Sequence, residues 1–362
     1  MAFGRKKGNE PIDFNAYGLR PVGSYLNSLG QLGETMDDLP VQSGSNLRAT
    51  MDEAEKAAKK LIDETGGEGA MLRPDAPKTE AEKSPERPDV NELLAQLDEL
   101  VGLEKIKKNV KSLINLVKVR KLREENGLSA PAISLHLVFM GNPGTGKTTV
   151  ARLISQLYYA IGVLSKGQLV EVDRSGLVAG FVGQTAIKTS EAVQKAIGGV
   201  LFIDEAYALA GGQSNGNNDF GHEAVETILK AMEDSRDDLV VIVAGYENLM
   251  EKFISSNPGL ESRFNRYFIF EDYNGPQLTE IFRSMCKKNQ YILSEDAERF
   301  AASYFNDLYD RRDENFGNAR DVRNTFENVI SIHSDRVAQI ETPSKDDLMT
   351  ILKEDIEKAA EM

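Results

Sequence analysis

The stretch "GNPGTGKTTVARL", which begins at Gly141, sets glycines, a lysine and a hydroxyl residue at the spacing G-x-x-x-x-G-K-[ST], with Gly141, Gly146, Lys147 and Thr148 as the spaced members. Such a loop suits nucleotide phosphates for definable reasons. Glycines let backbone N–H groups approach phosphate oxygens, and the helix that follows presents the positive end of its dipole. Lys147 is the group to reach the β and γ oxygens, and the Thr148 hydroxyl is the group to hold magnesium. Asn142, Pro143, Gly144, Thr145 and Thr149 complete the cradle, so ATP and Mg2+ are the expected cofactors. Farther along, "GGVLFIDEAYAL" ends an apolar run on two carboxylates, Asp204 and Glu205. Asp204 is expected to hold the magnesium through water and Glu205 to polarise an attacking water as a general base. An acidic pair at a strand end means little alone; beside a phosphate loop it supplies the hydrolytic half of a site.

Elements must carry these groups to one place. Short apolar runs, "LHLVFMG", "LVEVD", "VLFIDEA", "LVVIVAGY" and "YFIFED", alternate with helical patterns between Leu135 and Asp272. Near-continuous apolar runs of this length predict parallel strands covered on both faces, and the carboxyl ends of such strands face a common crevice. The segment "VNELLAQLDELVGLEKIKKNVKSLINLVKVRKLREENG" predicts helices on either side of a break at Val101-Gly102. From about Asp272 the patterns are helical only. The organisation expected is therefore an N-terminal arm and linker over 1–90, an α/β nucleotide-binding domain over 91–271 and a helical domain over 272–362. The arm is rich in turn formers, reads as largely irregular and partly disordered, and offers one charged helix over about 48–65.

Composition narrows the function classes. The chain has 362 residues with 41% hydrophobic content, enough for a sizeable core, and a formal net charge of −14. That acidic balance disfavours a nucleic-acid partner, because phosphate neutralisation needs a basic face. No run approaches the roughly 18 apolar residues of a membrane span, and the basic Arg5-Lys6-Lys7 run has no apolar segment behind it, so no membrane insertion and a cytoplasmic location are expected. The single cysteine, Cys286, lies in a helical pattern and reads as a packing residue; the three histidines, His136, His222 and His333, lack metal-ligand spacing.

Together, "LVGLEKIKKNV", "GNPGTGKTTVARL", "GFVGQTA", "GGVLFIDEAYAL", "AGYENLM", "NPGLESRF" and "GNARDVRN" resemble the AAA+ ATPases of the CbbX-like branch, over about Leu93 to Ile340. The resemblance implies an AAA+ three-layer αβα domain with a parallel sheet and a small all-helical lid. It implies that Arg263, in "NPGLESRF", is an arginine finger reaching the γ-phosphate held by a neighbouring subunit, which would stabilise the transferring phosphoryl group. It implies that Arg320, in "GNARDVRN", touches the γ-phosphate from within the same subunit, with Arg323 one turn later as its competitor. Val101 and Gly102, with Leu103, take the place where the family shields adenine. One position departs from a common pattern: Tyr246 stands where many AAA+ proteins carry an asparagine as first sensor.

Phe181 then acquires a meaning. It sits between Gly180 and Gly183 in "AGFVGQT", which resembles the loop that AAA+ rings project into a central channel, with Val182 beside it. An aromatic face contacts almost any polypeptide without demanding a sequence. The competing reading buries Phe181 against the following helix. A second polar insertion, "AGGQSNGNNDFGHEA", could also reach the channel, with Phe220 anchoring the next helix. The function expected is a homo-oligomeric, hexameric ATPase motor that remodels or partially threads a protein substrate, as a chaperone or activase does. The alternatives are an ATP-controlled assembly switch acting through the arm and a DNA-acting ATPase of the loader kind, which the acidic charge disfavours.

Overall fold

The computed structural model describes residues 87–131, 133–181, 183–210, 220–313 and 316–361. The helix expected over about 48–65, the rest of residues 1–86, Val182 and most of the second polar insertion lie outside the described residues.

Helices α1 (Val90–Asp98) and α2 (Glu104–Glu125) flank the expected break. Then β1 (Leu137–Gly141), α3 (Lys147–Ala160), β2 (Leu169–Val172), α4 (Arg174–Leu177), α5 (Gln184–Ala196), β3 (Val200–Ile203), α6 (Gly221–Asp234) and β4 (Val240–Gly245) follow. Two short helices, α7 (Glu247–Ser255) and α8 (Pro258–Arg263), lead into β5 (Tyr267–Phe270). The strands form one parallel sheet in the order β2-β3-β4-β1-β5. Every residue of β3 and β4, and all of β1 up to Gly141, is buried, as continuous apolar runs require.

Alternation along the strands splits the core into two layers. Phe139, Phe202 and Ile242 face α1 to α3, meeting Leu97, Ile106, Val110 and Ile154, while Val138, Leu201 and Val241 face Val193, Ile228, Met250 and Phe253. This is the expected αβα sandwich. β5 closes one edge, and its alternation puts Phe268 and Phe270 in the first layer while Tyr267 and Ile269 stay exposed.

After Asp272 the chain forms the helical lid: α9 (Gly275–Lys288), α10 (Glu295–Asp310), α11 (Ala319–Val337), α12 (Lys345–Met349) and α13 (Lys353–Ala360). Its core gathers Leu278, Phe282, Phe305, Val322, Val329, Ile351 and Ile356. Asn274 starts α9 through a reciprocal capping box with Gln277. The lid also holds a two-residue parallel pairing of β6 (Ile292–Leu293) with β7 (Thr350–Ile351), which was not expected from sequence. Two residues are too few to show a period. Cys286 is buried in this core, and burial pushes its thiol up to about 12. No described helix is long and apolar enough to cross a membrane.

His136, just before β1, is buried, and its Nδ1 accepts the Val241 N–H at 3.0 Å. Burial, reinforced by the Arg263 charge, lowers its pKa from 6.5 to about 4. The folded state therefore holds this ring neutral where the unfolded chain takes up a proton. Stability is lost as pH falls through 6.5 and the loss levels off below about 4, amounting to about 3 kcal/mol. A His136→Asn protein, which keeps an acceptor for the Val241 amide, should lose less of its urea midpoint between pH 7 and pH 4.5 than the parent. Parallel losses in the two proteins would remove His136 as the cause.

Candidate active site

The chain leaves β1 for β2 at one edge of the sheet and leaves β4 for β5 at the other, so the connections diverge between β1 and its neighbour β4. Open parallel sheets bind ligands at such a switch point, beyond the carboxyl ends of the strands. A cleft of about 330 Å³ opens here. It brings together Pro143, Gly144, Gly146, Lys147, Thr148 and Thr149 of the loop, Asp204 and Glu205 from the end of β3, and Arg320 from the start of α11. Gly141, Gly245, Tyr246, Ala319 and Arg323 complete the lining.

The loop is built for an anion. Gly146 takes the N-cap position of α3 at φ 94°, and no side chain caps the helix, so first-turn amides remain for a ligand in the cleft. Gly144 is left-handed at φ 71°, and a Cβ there would strike the Gly317 carbonyl oxygen. Any larger residue would push the loop off the lid. Lys147 Nζ donates to the carbonyls of Gly141, at 2.8 Å, and Asn142, at 2.7 Å. Burial draws this ammonium below the ordinary lysine value; Asp204 opposes the shift and Arg320 reinforces it. Among the described residues the ammonium's only hydrogen-bond acceptors are these carbonyls, so the half-dehydrated cation gains from an incoming phosphate.

Across the cleft, Asp204 Oδ1 accepts the Glu205 N–H at 3.0 Å. Glu205 sits in the left-handed region at φ 48° and ψ 41°, a conformation disfavoured for a residue with a side chain and found most often at functional sites. Tyr207 lies beside it, its ring centroid 6.1 Å from that of Tyr246. Burial, then the negative charge of Glu205, pushes the Tyr207 phenol up to about 12, so it remains a proton donor. Cationic groups, helix amides and carboxylates thus share the lining of one cleft. A triphosphate with a divalent cation between phosphate and carboxylate matches that charge pattern.

Several expected site residues lie elsewhere. Thr145 is buried and turns its hydroxyl onto the Asn142 carbonyl at 2.8 Å. The Asn142 amide points away from the cleft to Asp272. Val101 and Gly102 lie outside the cleft lining; Gly102 packs against Gln277 and Tyr273, and the neighbouring Leu103 approaches Gly146. Arg263, expected at a neighbouring subunit's site, lies outside its own cleft: it ends α8 beside a separate cavity, and its Nη2 donates to Glu233 at 3.2 Å. Phe181 is 72% exposed, and there is open space where side chains on Gly180 and Gly183 would stand. The reading that buries Phe181 against the next helix is not what the structure has.

Comparison with known proteins decides the family. Residues 137–272 match the family described as "ATPase family associated with various cellular activities (AAA)", and residues 274–362 match the AAA lid domain. Stage V sporulation protein K of Bacillus subtilis is 42% identical over 74% of this chain and 82% of its own. The plasmid-encoded protein CbxX of Cupriavidus necator is 43% identical over 74% of this chain and 84% of its own. The chain belongs to the CbbX-like AAA+ ATPases. It binds and hydrolyses ATP. The chloroplastic ribulose bisphosphate carboxylase/oxygenase activase of Cyanidioschyzon merolae is a further relative, 41% identical over 75% of this chain and 92% of its own. The FIGL-1 AAA domain solved with ADP shares the fold at 18% identity and a TM-score of 0.51, covering 76% of this chain and 92% of that one.

Three polar residues of this CbbX-like ATPase were not singled out from sequence. Asp272 and Asn318 bind each other and the back of the phosphate loop, and Tyr207 bridges the space between Glu205 and Tyr246. Asp272 ends an apolar run as Asp204 does, and that was the available signal. Asn318 and Tyr207 look in sequence like an ordinary turn residue and a core aromatic.

Proposed function

We propose that this ATPase works as a homo-oligomeric ring, hexameric by family resemblance, which hydrolyses ATP at subunit interfaces to remodel or partially thread a protein substrate. In this reading Lys147, Thr148, Thr149 and the loop amides hold the phosphates. Thr148 and Asp204 hold Mg2+, which when bound supplies charge neutralisation at the phosphates. Glu205 takes the proton of the attacking water. Arg320 contacts the γ-phosphate from the lid, and Val101 and Gly102 border the adenine. Arg263 serves the neighbour's site, a reading that its position outside its own cleft favours.

The observation that carries the substrate reading is Phe181, an aromatic 72% exposed on a glycine-flanked loop, with open space at Gly180 and Gly183. A large exposed aromatic on a pliable loop has hydrophobic surface to offer a partner and freedom to move with it. The relative named as an activase of another enzyme supports a folded protein as the substrate class.

The test is capture from native cells by ATP-loaded Glu205→Gln protein, with and without Phe181→Ala, read by mass spectrometry. A partner held by the first protein and lost from the second supports pore engagement. Identical partners from both would move the contact away from Phe181 and favour the ATP-controlled switch acting through the N-terminal arm.

A further inference from the structure

The phosphate loop is held from behind by the hinge and the lid. Asp272 accepts the Asn142 Nδ2 amide on both oxygens, at 2.9 and 3.1 Å, and accepts Asn318 Nδ2 at 2.8 Å. The same Asn318 nitrogen donates to the Pro143 carbonyl at 3.2 Å, and Asn318 Oδ1 accepts the Tyr273 N–H at 2.8 Å. The Ala319 N–H donates to the Gly144 carbonyl at 3.2 Å and the Tyr273 hydroxyl to the Thr145 carbonyl at 3.3 Å. Four consecutive loop residues, 142 to 145, are therefore each bonded to the segment 272–273 or the segment 318–319.

Asn318 is the centre of this arrangement. Its side chain makes three hydrogen bonds, it is completely buried, and its backbone stands at φ 54° and ψ −124°, a region hospitable mainly to glycine. A strained, buried amide at that point is costly unless its bonds are needed. Helix α11 starts at the next residue, and Arg320 and Arg323 project from its first turns into the cleft. The residue that fixes where α11 begins thus also fixes where those guanidinium groups reach. On the loop side, Asn142 gives its carbonyl to Lys147 and its side chain to Asp272, so any displacement caused by phosphate at Lys147 is felt at the hinge.

We propose that Asn318 is a positioning residue. With Asp272 it clasps the phosphate loop to the first turn of the lid helix, so that Arg320 is presented to the cleft only while the loop holds its phosphate-receiving shape. The clasp makes phosphate occupancy and lid placement a single event. The inference rests on the nucleotide cleft and on the Arg320 role described above.

The test uses the full-length protein, three variants and a Lys147→Ala control. Asn318→Gly accommodates the backbone and removes the amide; Arg320→Ala removes the presented group; the third variant combines both. Affinities for a non-hydrolysable ATP analogue and for ADP, both with Mg2+, are measured by calorimetry beside kcat and KM. Asn318→Gly should lose about tenfold in kcat and about tenfold in its preference for the ATP analogue over ADP, with ADP affinity held within about threefold. The double variant should be no worse than Arg320→Ala, because a residue that acts through another adds nothing once that other is gone. Independent, additive losses would overturn the proposal, and so would an Asn318→Gly protein with the parent's ATP preference. Thermal unfolding without nucleotide checks that the variant folds; if it does not, Asp272→Asn is carried through the same cycle with the same criteria. Retention of ATP binding by Lys147→Ala would instead show that the cleft itself had been misassigned.

Discussion

A Glu205→Gln protein is expected to bind ATP as the parent does and to hydrolyse it at least about 100-fold more slowly, the scale of a lost general base. The substitution preserves size and leaves the bond from the Glu205 N–H to Asp204 Oδ1, at 3.0 Å, in place. What it removes is a proton acceptor at the one acidic position whose backbone is held left-handed at the cleft mouth. Phosphate release and equilibrium ATP binding, measured separately, distinguish loss of chemistry from loss of substrate. Parent-level turnover would transfer the base role to another group, with Asp204 the next carboxylate in the cleft.

An Arg263→Ala protein should lose about 1000-fold in kcat, the range measured for arginine fingers, while retaining ATP affinity. The decisive measurement is mixing. In its own chain Arg263 is tied to Glu233, outside the cleft formed by the phosphate loop, β3 and the lid. If each site is completed by the next subunit, a Lys147→Ala subunit with an intact Arg263 can serve the cleft of an Arg263→Ala neighbour. An equimolar mixture of the two inactive proteins should then recover activity at about a quarter of its interfaces, as head-to-tail contacts permit. Failure of any recovery on mixing would assign Arg263 to its own subunit. The two substitutions thus probe different things: Glu205 the proton transfer, Arg263 the dependence of hydrolysis on assembly.

The chemistry of the cleft was legible in sequence where it is local. The phosphate loop is a run of consecutive residues whose glycines, lysine and threonine act at fixed short spacing, and Asp204 and Glu205 end a strand visible as an apolar run. The five parallel strands and the helical lid were likewise readable, because burial on both faces leaves continuous apolar stretches and helices leave a period. The tertiary structure alone decided three other things. It joined Asn142 and Pro143 of the phosphate loop to Asp272 and Asn318, which stand far from that loop in the chain and carry no pattern that links them to it. It tied Arg263 to Glu233 beside a separate cavity, a partner that no motif names. It left Phe181 exposed where an aromatic could equally have been buried, since exposure depends on what packs around a loop and not on the loop's own residues. Local motifs report which groups can do chemistry, because covalent spacing sets their geometry; the contacts that couple those groups to a moving lid form between distant segments and exist only once the chain has folded.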